Sequence, residues 1–484
     1  MPKIKPLFIA SILTTVLASP TVISQELNRN KLPEIGSAGG SLLSIDKERI
    51  IGEAMMKQLR ASQPIINDPV LIEYINDLGN QLVKNAQDVN YSFEFFLLNN
   101  QELNAFAFFG GHVGIHSGLL TTADNESELA SVIAHEISHV TQRHLARRLE
   151  SQERAQGLTM AGMISGVLLT LINPTVGMAA LSTSIAASQQ SSINYTRGNE
   201  QEADRVGITL LANSGFDPMG APNFFGKMAE RFRYKSKPPA MLLTHPLPES
   251  RISDARTRAQ RLSSPIKPPS LMFELAKARI KSRYEGEAKS NIAYYQSVLD
   301  KNTYAHKEAA QYGLALSYFE HKQYANAGDI LEALRAKDPN NLFYVDALSD
   351  VYIQTKSFEQ ANTMLSELNL LMPNNQVVTL NYANVLQEAK KYEQAELLLQ
   401  DFLLVKPNNF IAYDLLTSVY QKQDKKAMMH SAKAEVLALL GAYPKAVDEL
   451  QTAYNFADEQ VLVKKRIKAR ILQLQAQEDK LKRL

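Results

Sequence analysis

The chain has 484 residues, more than one hydrophobic core usually organises, so two or three domains are expected. Hydrophobic residues make up 45% and charged residues 21%, which excludes wholesale disorder and a polytopic membrane protein. A net charge of +2 gives no pull toward nucleic acid or anionic lipid, and with no cysteine any metal must be held by His, Asp or Glu.

Residues 1–24 read as a signal peptide: Met1 to Lys5 is basic, Leu7 to Ala18 is apolar, and Val22 and Ser24 precede the cut. The apolar run is short of the roughly 20 residues that a membrane span needs. An uncleaved anchor is the alternative, and either reading places the rest of the chain outside the cytoplasm. From Ser44 to Ala86 apolar residues recur at helical spacing, and Asp68-Pro69 makes a helix start, an N-cap acceptor followed by a residue needing no donor. Tyr91 to Leu98 and Ala105 to Ile115 read as strands, with glycines 110, 111 and 114 in the second suggesting a bulge or an edge open to a peptide.

Asn125-x-x-Glu128 is a capping-box signature opening the next helix, whose apolar stripe is Leu129, Val132, Ile133, Ile137 and Val140. Gly157 to Ala187 is apolar but broken by Asn173-Pro174, and each half is too short to span a membrane. An amphipathic lid over a cleft or against a membrane is the expectation there. Ile193 to Leu211 reads as a helix stopped by Ser214-Gly-Phe-Asp-Pro218, and the proline-dense stretch 263–270 as a linker.

Beyond it the chain repeats. The Pro-Asn-Asn motifs ending at Asn341, Asn375 and Asn409, the aromatics Tyr324, Phe358 and Tyr392, and the small residues Ala327, Ala361 and Ala395 all keep the 34-residue tetratricopeptide period. Tyr443 and Ala446 renew the aromatic-small pair after a longer interval, so at least one inserted or lengthened helix is expected between them and Tyr392. The basic run Lys464 to Arg470 reads as a solvated helix face.

His135-Glu-Ile-Ser-His139 carries the chemistry. Histidines four apart on a helix face the same way and can share one tetrahedral zinc, which leaves Glu136 beside the ion as a general base. A third ligand must come from elsewhere. Glu200 is the candidate, and Asp204, one helical turn on, can stand behind the site to hydrogen-bond a ligand histidine or assist proton transfer, although by itself such an acidic cluster is better explained as a solvated helix start.

Together the H-E-x-x-H helix, the downstream Glu200-x-x-x-Asp204-Arg205 and the upstream Asn104 to Val113 stretch resemble gluzincin peptidases related to the HtpX heat-shock protease and the CAAX prenyl endopeptidases. Phe109 departs from the proline that relatives usually carry there. The exported, repeat-bearing architecture resembles members of that group that act in outer-membrane barrel assembly. The resemblance implies an α+β, mostly α fold: a metallopeptidase domain with a small sheet over 25–262, then an α-solenoid of repeats over 271–484. It implies one zinc on His135, His139 and Glu200, a catalytic Glu136, a supporting proton donor at Asp204, and peptide docking along 105–115. It further implies a periplasmic endopeptidase acting on unfolded or stalled outer-membrane proteins, with the barrel assembly machinery meeting the repeats. The alternatives are a non-proteolytic chaperone or scaffold, and a cell-surface binding module.

Other histidines compete for roles. His112 and His116 share a strand face and read as a substrate-lining or surface pair without an acidic partner, and His144, a further turn and a bit along the same helix from His139, as solvent-facing. His245, in the proline-bounded Leu243 to Pro248 loop, is a candidate fourth ligand that would keep the enzyme latent until a partner moves it.

Overall fold

A computed structural model of the chain describes residues 43–156, 189–233, 240–263, 268–457 and 460–482. The expected signal peptide, the apolar segment 157–187 and residues 264–267 of the expected linker lie outside them. The described residues all fall in one compact unit.

Two helices open it. Helix α1 (Ile45–Ser62) is capped by Ser44, and α2 (Pro69–Val83) by Asp68, whose carboxylate accepts the Leu71 N–H at 3.2 Å with Pro69 in the first turn. Strands β1 (Glu94–Leu98), β2 (Ala105–Phe108) and β3 (His112–His116) form a sheet in the order β1-β3-β2, with β1 parallel and β2 antiparallel to β3. The stretch 105–115 is therefore two strands rather than one. Gly110 and Gly111, at φ of 79° and 84°, turn the chain back through the left-handed region, where side chains are disfavoured.

Side-chain alternation divides the core. Phe95, Leu97, Val113 and Ile115 join the cluster built on α2 and on α4 (Glu126–Thr141), which packs on β2. Phe96, Leu98, Phe106 and Phe108 pack on the other face with Ile51, Met55, Met56 and Leu59 of α1. Between sheet and α4 lies the short α3 (Ser117–Thr122), and the Asn125 side chain caps α4 as expected, accepting the Glu128 N–H at 3.1 Å. The Glu128 carboxylate, however, accepts from Asp124 N–H rather than from the cap residue.

Next come α5 (His144–Gln156), α6 (Gln189–Asn213), α7 (Gly220–Phe232), α8 (Ala240–Thr244) and α9 (Glu249–Ala259). Helix α6 crosses α4 closely because Ala203 and Gly207 present no bulk. A Cβ on Gly207 would sit 3.2 Å from the His135 Cα.

The repeats are antiparallel helix pairs. Helices α10 (Leu271–Tyr284) and α11 (Ala288–Asp300) lead, followed by α12 (Lys307–Glu320) with α13 (Tyr324–Lys337), α14 (Leu342–Gln354) with α15 (Phe358–Leu371), and α16 (Gln376–Glu388) with α17 (Tyr392–Val405). Ala327, Ala361 and Ala395 are fully buried where paired helices meet, and Asn341, Asn375 and Asn409 cap the first helix of each following unit. Helices α18 (Phe410–Lys422) and α19 (Lys426–Leu439) separate α17 from α20 (Tyr443–Phe456), and α21 (Val461–Lys482) ends the array. One helix more than a regular repeat thus lies between Tyr392 and Tyr443, the expected addition. Among the described residues no helix is long and apolar enough to cross a membrane.

The array packs directly on α2. Arg279 of α10 is fully buried, with its Nε 2.7 Å from Asp68 and an Nη 2.6 Å from Asp346 of α14, and it donates to the Tyr312 hydroxyl. Asp68 thereby caps α2 with one oxygen and grips the repeats with the other. At the far end of the array, the Lys57 ammonium of α1 donates to Tyr443 Oη at 2.7 Å.

Candidate metal centre

Helix α4 presents His135 and His139 on one face, and their Nε2 atoms approach to 3.0 Å, both aimed at one point. Glu200 enters from α6, its Oε2 3.4 Å from the His135 nitrogen and its Oε1 3.4 Å from the His139 nitrogen. His245, from the loop after α8, sets its Nδ1 at 3.0 Å from Glu200 and its Nε2 at 3.6 Å from Glu136. Ligand-type atoms of His135, His139, Glu200 and His245 all lie within 4.8 Å of one another. The structure therefore brings together every ligand position read from the sequence, and Glu136 with them. Glu136 is buried, and its Oε1 has no hydrogen-bond partner among the described residues. A buried polar oxygen left unpaired beside convergent imidazoles marks a place built for something that enters.

Charge in this pocket is dense. Burial works against the Glu200 carboxylate, yet His245, His139 and His135 hold its pKa well below the usual range. Burial likewise opposes a charged His135, but hydrogen bonds and charge from Asp204 and Glu200 raise it to about 10. For His139, burial and then the neighbouring His135 and His245 outweigh Glu200, and the ring is pulled down to about 3. His245 is raised against burial by Glu200 and Glu136. Two imidazole nitrogens and a carboxylate oxygen, converging where positive charge is favoured, are the donor set of a catalytic zinc with an open position. Such an ion would displace the ring protons.

Asp204 lies behind the centre, its Oδ1 3.0 Å from the outer nitrogen, Nδ1, of His135. Arg251 of α9 donates to both its oxygens, at 2.7 and 2.8 Å, and with His135 keeps the carboxyl ionised against burial. This contact suits the hydrogen-bonding role read for Asp204, a carboxylate that orients a ligand histidine.

Sequence reasoning missed Arg251. It also contacts Glu200 at 2.8 Å and donates to the Pro246 carbonyl at 2.7 Å, so one guanidinium ties the ligand, its support and the His245 loop together. The arginine six residues after a loop histidine, in His-Pro-Leu-Pro-Glu-Ser-Arg, was the available signal. Beside these groups lies an apolar recess lined by Val132, Phe225, Met228, Met241 and Leu247.

Three sequence expectations are corrected. His144 is buried rather than solvent-facing, because α4 breaks at Arg143 and the new helix turns the ring inward. His112 and His116 are buried too, on the α1 side of the sheet away from α4, and His112 does have an acidic partner, Glu94, its neighbour across β1 and β3, at 3.1 Å. Finally, β3 is paired on both sides, so within 105–115 only β2 has an outer edge, and among the described residues it pairs with β3 alone.

Residues 71–259 match the model of peptidase family M48, and residues 352–419 match a tetratricopeptide repeat model. Residues 71–259 belong to peptidase family M48. It is 50% identical over 320 residues to the beta-barrel assembly-enhancing protease of Yersinia pestis, and 48% identical over 320 residues to the protein of that name from Escherichia coli K12. Each of these alignments covers 66% of this chain and 66% of the relative's own length. The mitochondrial metalloendopeptidase OMA1 of Arabidopsis thaliana is 30% identical over 139 residues, 29% of this chain and 26% of that one. Both the gluzincin-type resemblance and the repeat architecture read from the sequence stand confirmed.

Proposed function

We propose that this M48 chain is a zinc-dependent endopeptidase of the periplasm that cleaves extended segments of misassembled outer-membrane barrel proteins. The observation that carries the chemistry is the convergence of His135, His139 and Glu200 beside a buried, unpaired Glu136 oxygen. Zinc, when bound, supplies Lewis-acid chemistry, acidifying water and polarising a peptide carbonyl. Glu136 takes the proton from the attacking water and delivers it to the leaving amine. Asp204, clamped by Arg251, holds the His135 ring so that its Nε2 faces inward. The substrate adds as a strand to the outer edge of β2, where main-chain hydrogen bonds give grip without demanding a sequence.

The setting rests on the relatives named for barrel assembly and on the signal-like residues 1–24. The repeats supply the partner surface, suited to a barrel assembly machinery or its clients. His245 is the latch: its ring lies against those of His135 and His139, with centroids 5.2 and 5.1 Å away, and reaches toward both Glu200 and Glu136.

The test is casein cleavage by the zinc-loaded chain beside Glu136→Gln and His245→Ala. Cleavage should fall at least about a hundredfold in Glu136→Gln with zinc retained, in line with the usual worth of a positioned general base, and should rise in His245→Ala. Equal cleavage by wild type and Glu136→Gln would remove the hydrolytic reading and leave a scaffold, and unchanged or lower cleavage by His245→Ala would remove the latch.

A further inference from the structure

His144 follows His139 by five residues, and on an unbroken helix the two rings would point roughly 140° apart. The chain does something else. Helix α4 ends at Thr141, and Arg143 adopts φ of 53°, a left-handed conformation rare for a residue with a side chain. That turn is held from outside: the Arg143 guanidinium is buried, donating to Glu48 of α1 at 3.0 Å and to the Leu43 carbonyl at 2.7 Å. The result folds His144 back under the metal helix. Its Nδ1 lies 2.8 Å from His139 Nδ1, with the rings edge to face at 4.8 Å between centroids. On its far side, His144 Nε2 lies 3.1 Å from Glu202 of α6, and that same carboxylate oxygen accepts from Arg147 at 3.1 Å.

Proton placement in this chain has one solution once His139 offers the lone pair of Nε2 to the centre. The His139 proton must then sit on Nδ1 and be donated to His144 Nδ1. His144 must carry its own proton on Nε2 and donate it to Glu202, which has only acceptor oxygens and is anchored by Arg147. Every hydrogen bond is satisfied, and each fixes the next. His135 has a different support, the carboxylate of Asp204 clamped by Arg251. Helix α6 thus supplies Glu200 to the centre, Asp204 to one imidazole and, through His144, Glu202 to the other.

We propose that His144 is a positioning residue: with Glu202 and Arg147 behind it, it sets the ring orientation and tautomer in which His139 binds zinc. The proposal rests on the zinc reading above.

The experiment measures zinc affinity of the full chain by competition with a chromogenic chelator, in wild type, His144→Leu, His144→Asn and Glu202→Ala. Leucine fills space without an acceptor. Asparagine places an amide oxygen close to where Nδ1 was. Loss of an outer hydrogen-bond partner typically weakens metal binding about 10–100-fold, and His144→Leu should fall in that range. His144→Asn and Glu202→Ala each keep an acceptor for His139 Nδ1 and lose the link to Glu202, so each should weaken binding by about threefold to tenfold, less than His144→Leu, where both links are lost. Wild-type affinity in His144→Leu, or equal losses in the leucine and asparagine variants, would overturn the proposal, since the latter is what lost packing alone produces. Should His144→Leu fail to fold, the part-exposed Glu202 decides: unchanged affinity in Glu202→Ala overturns it. If wild type binds no zinc, the zinc reading fails and takes this inference with it, whereas tight wild-type binding with unchanged variants sinks this inference alone.

Discussion

Replacing Arg251 with Leu tests how the centre tolerates its own charge. Arg251, Glu200 and Asp204 have side chains only 5%, 4% and 4% exposed, so solvent offers little relief when the guanidinium goes. Removing one partner of a buried ion pair costs about 3–5 kcal/mol, because the remaining charge is left uncompensated. Asp204 keeps its contact with His135, which places the expected loss near the lower end, about 3 kcal/mol in the metal-free chain. For a single folding unit of about 400 residues, at about 2 cal/mol/K of unfolding entropy per residue, that is a fall of about 3–4 °C in melting temperature. Zinc should recover part of the loss, since a dication compensates Glu200 but not Asp204 directly. The pH dependence has a definite sign. With His135 and Arg251 beside it, Asp204 titrates below its ordinary value, so its stabilisation is complete above about pH 4 and lost only as pH falls through the lowered value. Without Arg251 it titrates higher, so the variant's deficit should be full at neutral pH and shrink as pH falls toward 4. Calorimetric scans of wild type, Arg251→Leu and Arg251→Lys, with and without zinc at pH 4 and 7, make the measurement. A metal-free Arg251→Leu chain within about 1 kcal/mol of wild type at pH 7, well below a broken buried pair, or a deficit indifferent to pH, would refute the reasoning.

Two further outcomes follow from the same charges. His135, raised to about 10 in the metal-free chain, contributes stability that is complete below its unfolded value of 6.5 and is lost as pH rises toward 10. Metal-free melting temperatures should therefore fall across that window while zinc affinity climbs, and a flat metal-free profile from pH 6.5 to 10 would contradict it. Asp68→Asn should keep the α2 cap but lose the charge opposite Arg279, and Asp68→Ala should lose both, falling about 1 kcal/mol below Asp68→Asn. Denaturant titration separates them, and identical midpoints would show that the cap contributes nothing.

Much of this fold was legible because its signals are local. The His135 and His139 spacing needs only one helix to bring both rings together, and Asp68-Pro69 and Asn125 each cap the helix they open. The repeats were legible by the same route, with Ala327, Ala361 and Ala395 marking close helix pairs one period apart. Glu200 stood at the limit: its spacing to Asp204 is helical, but only the resemblance separated a ligand from a solvated helix start.

What escaped depended on residues that leave the default backbone. Periodicity assumes that a helix or strand continues, so it read one strand through Gly110 and Gly111 and carried the α4 helix past Arg143. Both errors have the same structure. Left-handed residues reverse the chain, and every side chain after them points somewhere that spacing cannot predict: β3 moves to the centre of the sheet, and His144 moves from solvent to His139. Glycine at least advertises that freedom. Arg143 does not, because its conformation is held by Glu48, nearly a hundred residues earlier, through a buried guanidinium. A non-glycine left-handed turn fixed by a distant ion pair beside a metal helix is strain held in place by tertiary contacts, and here its visible product is the ring that meets His139.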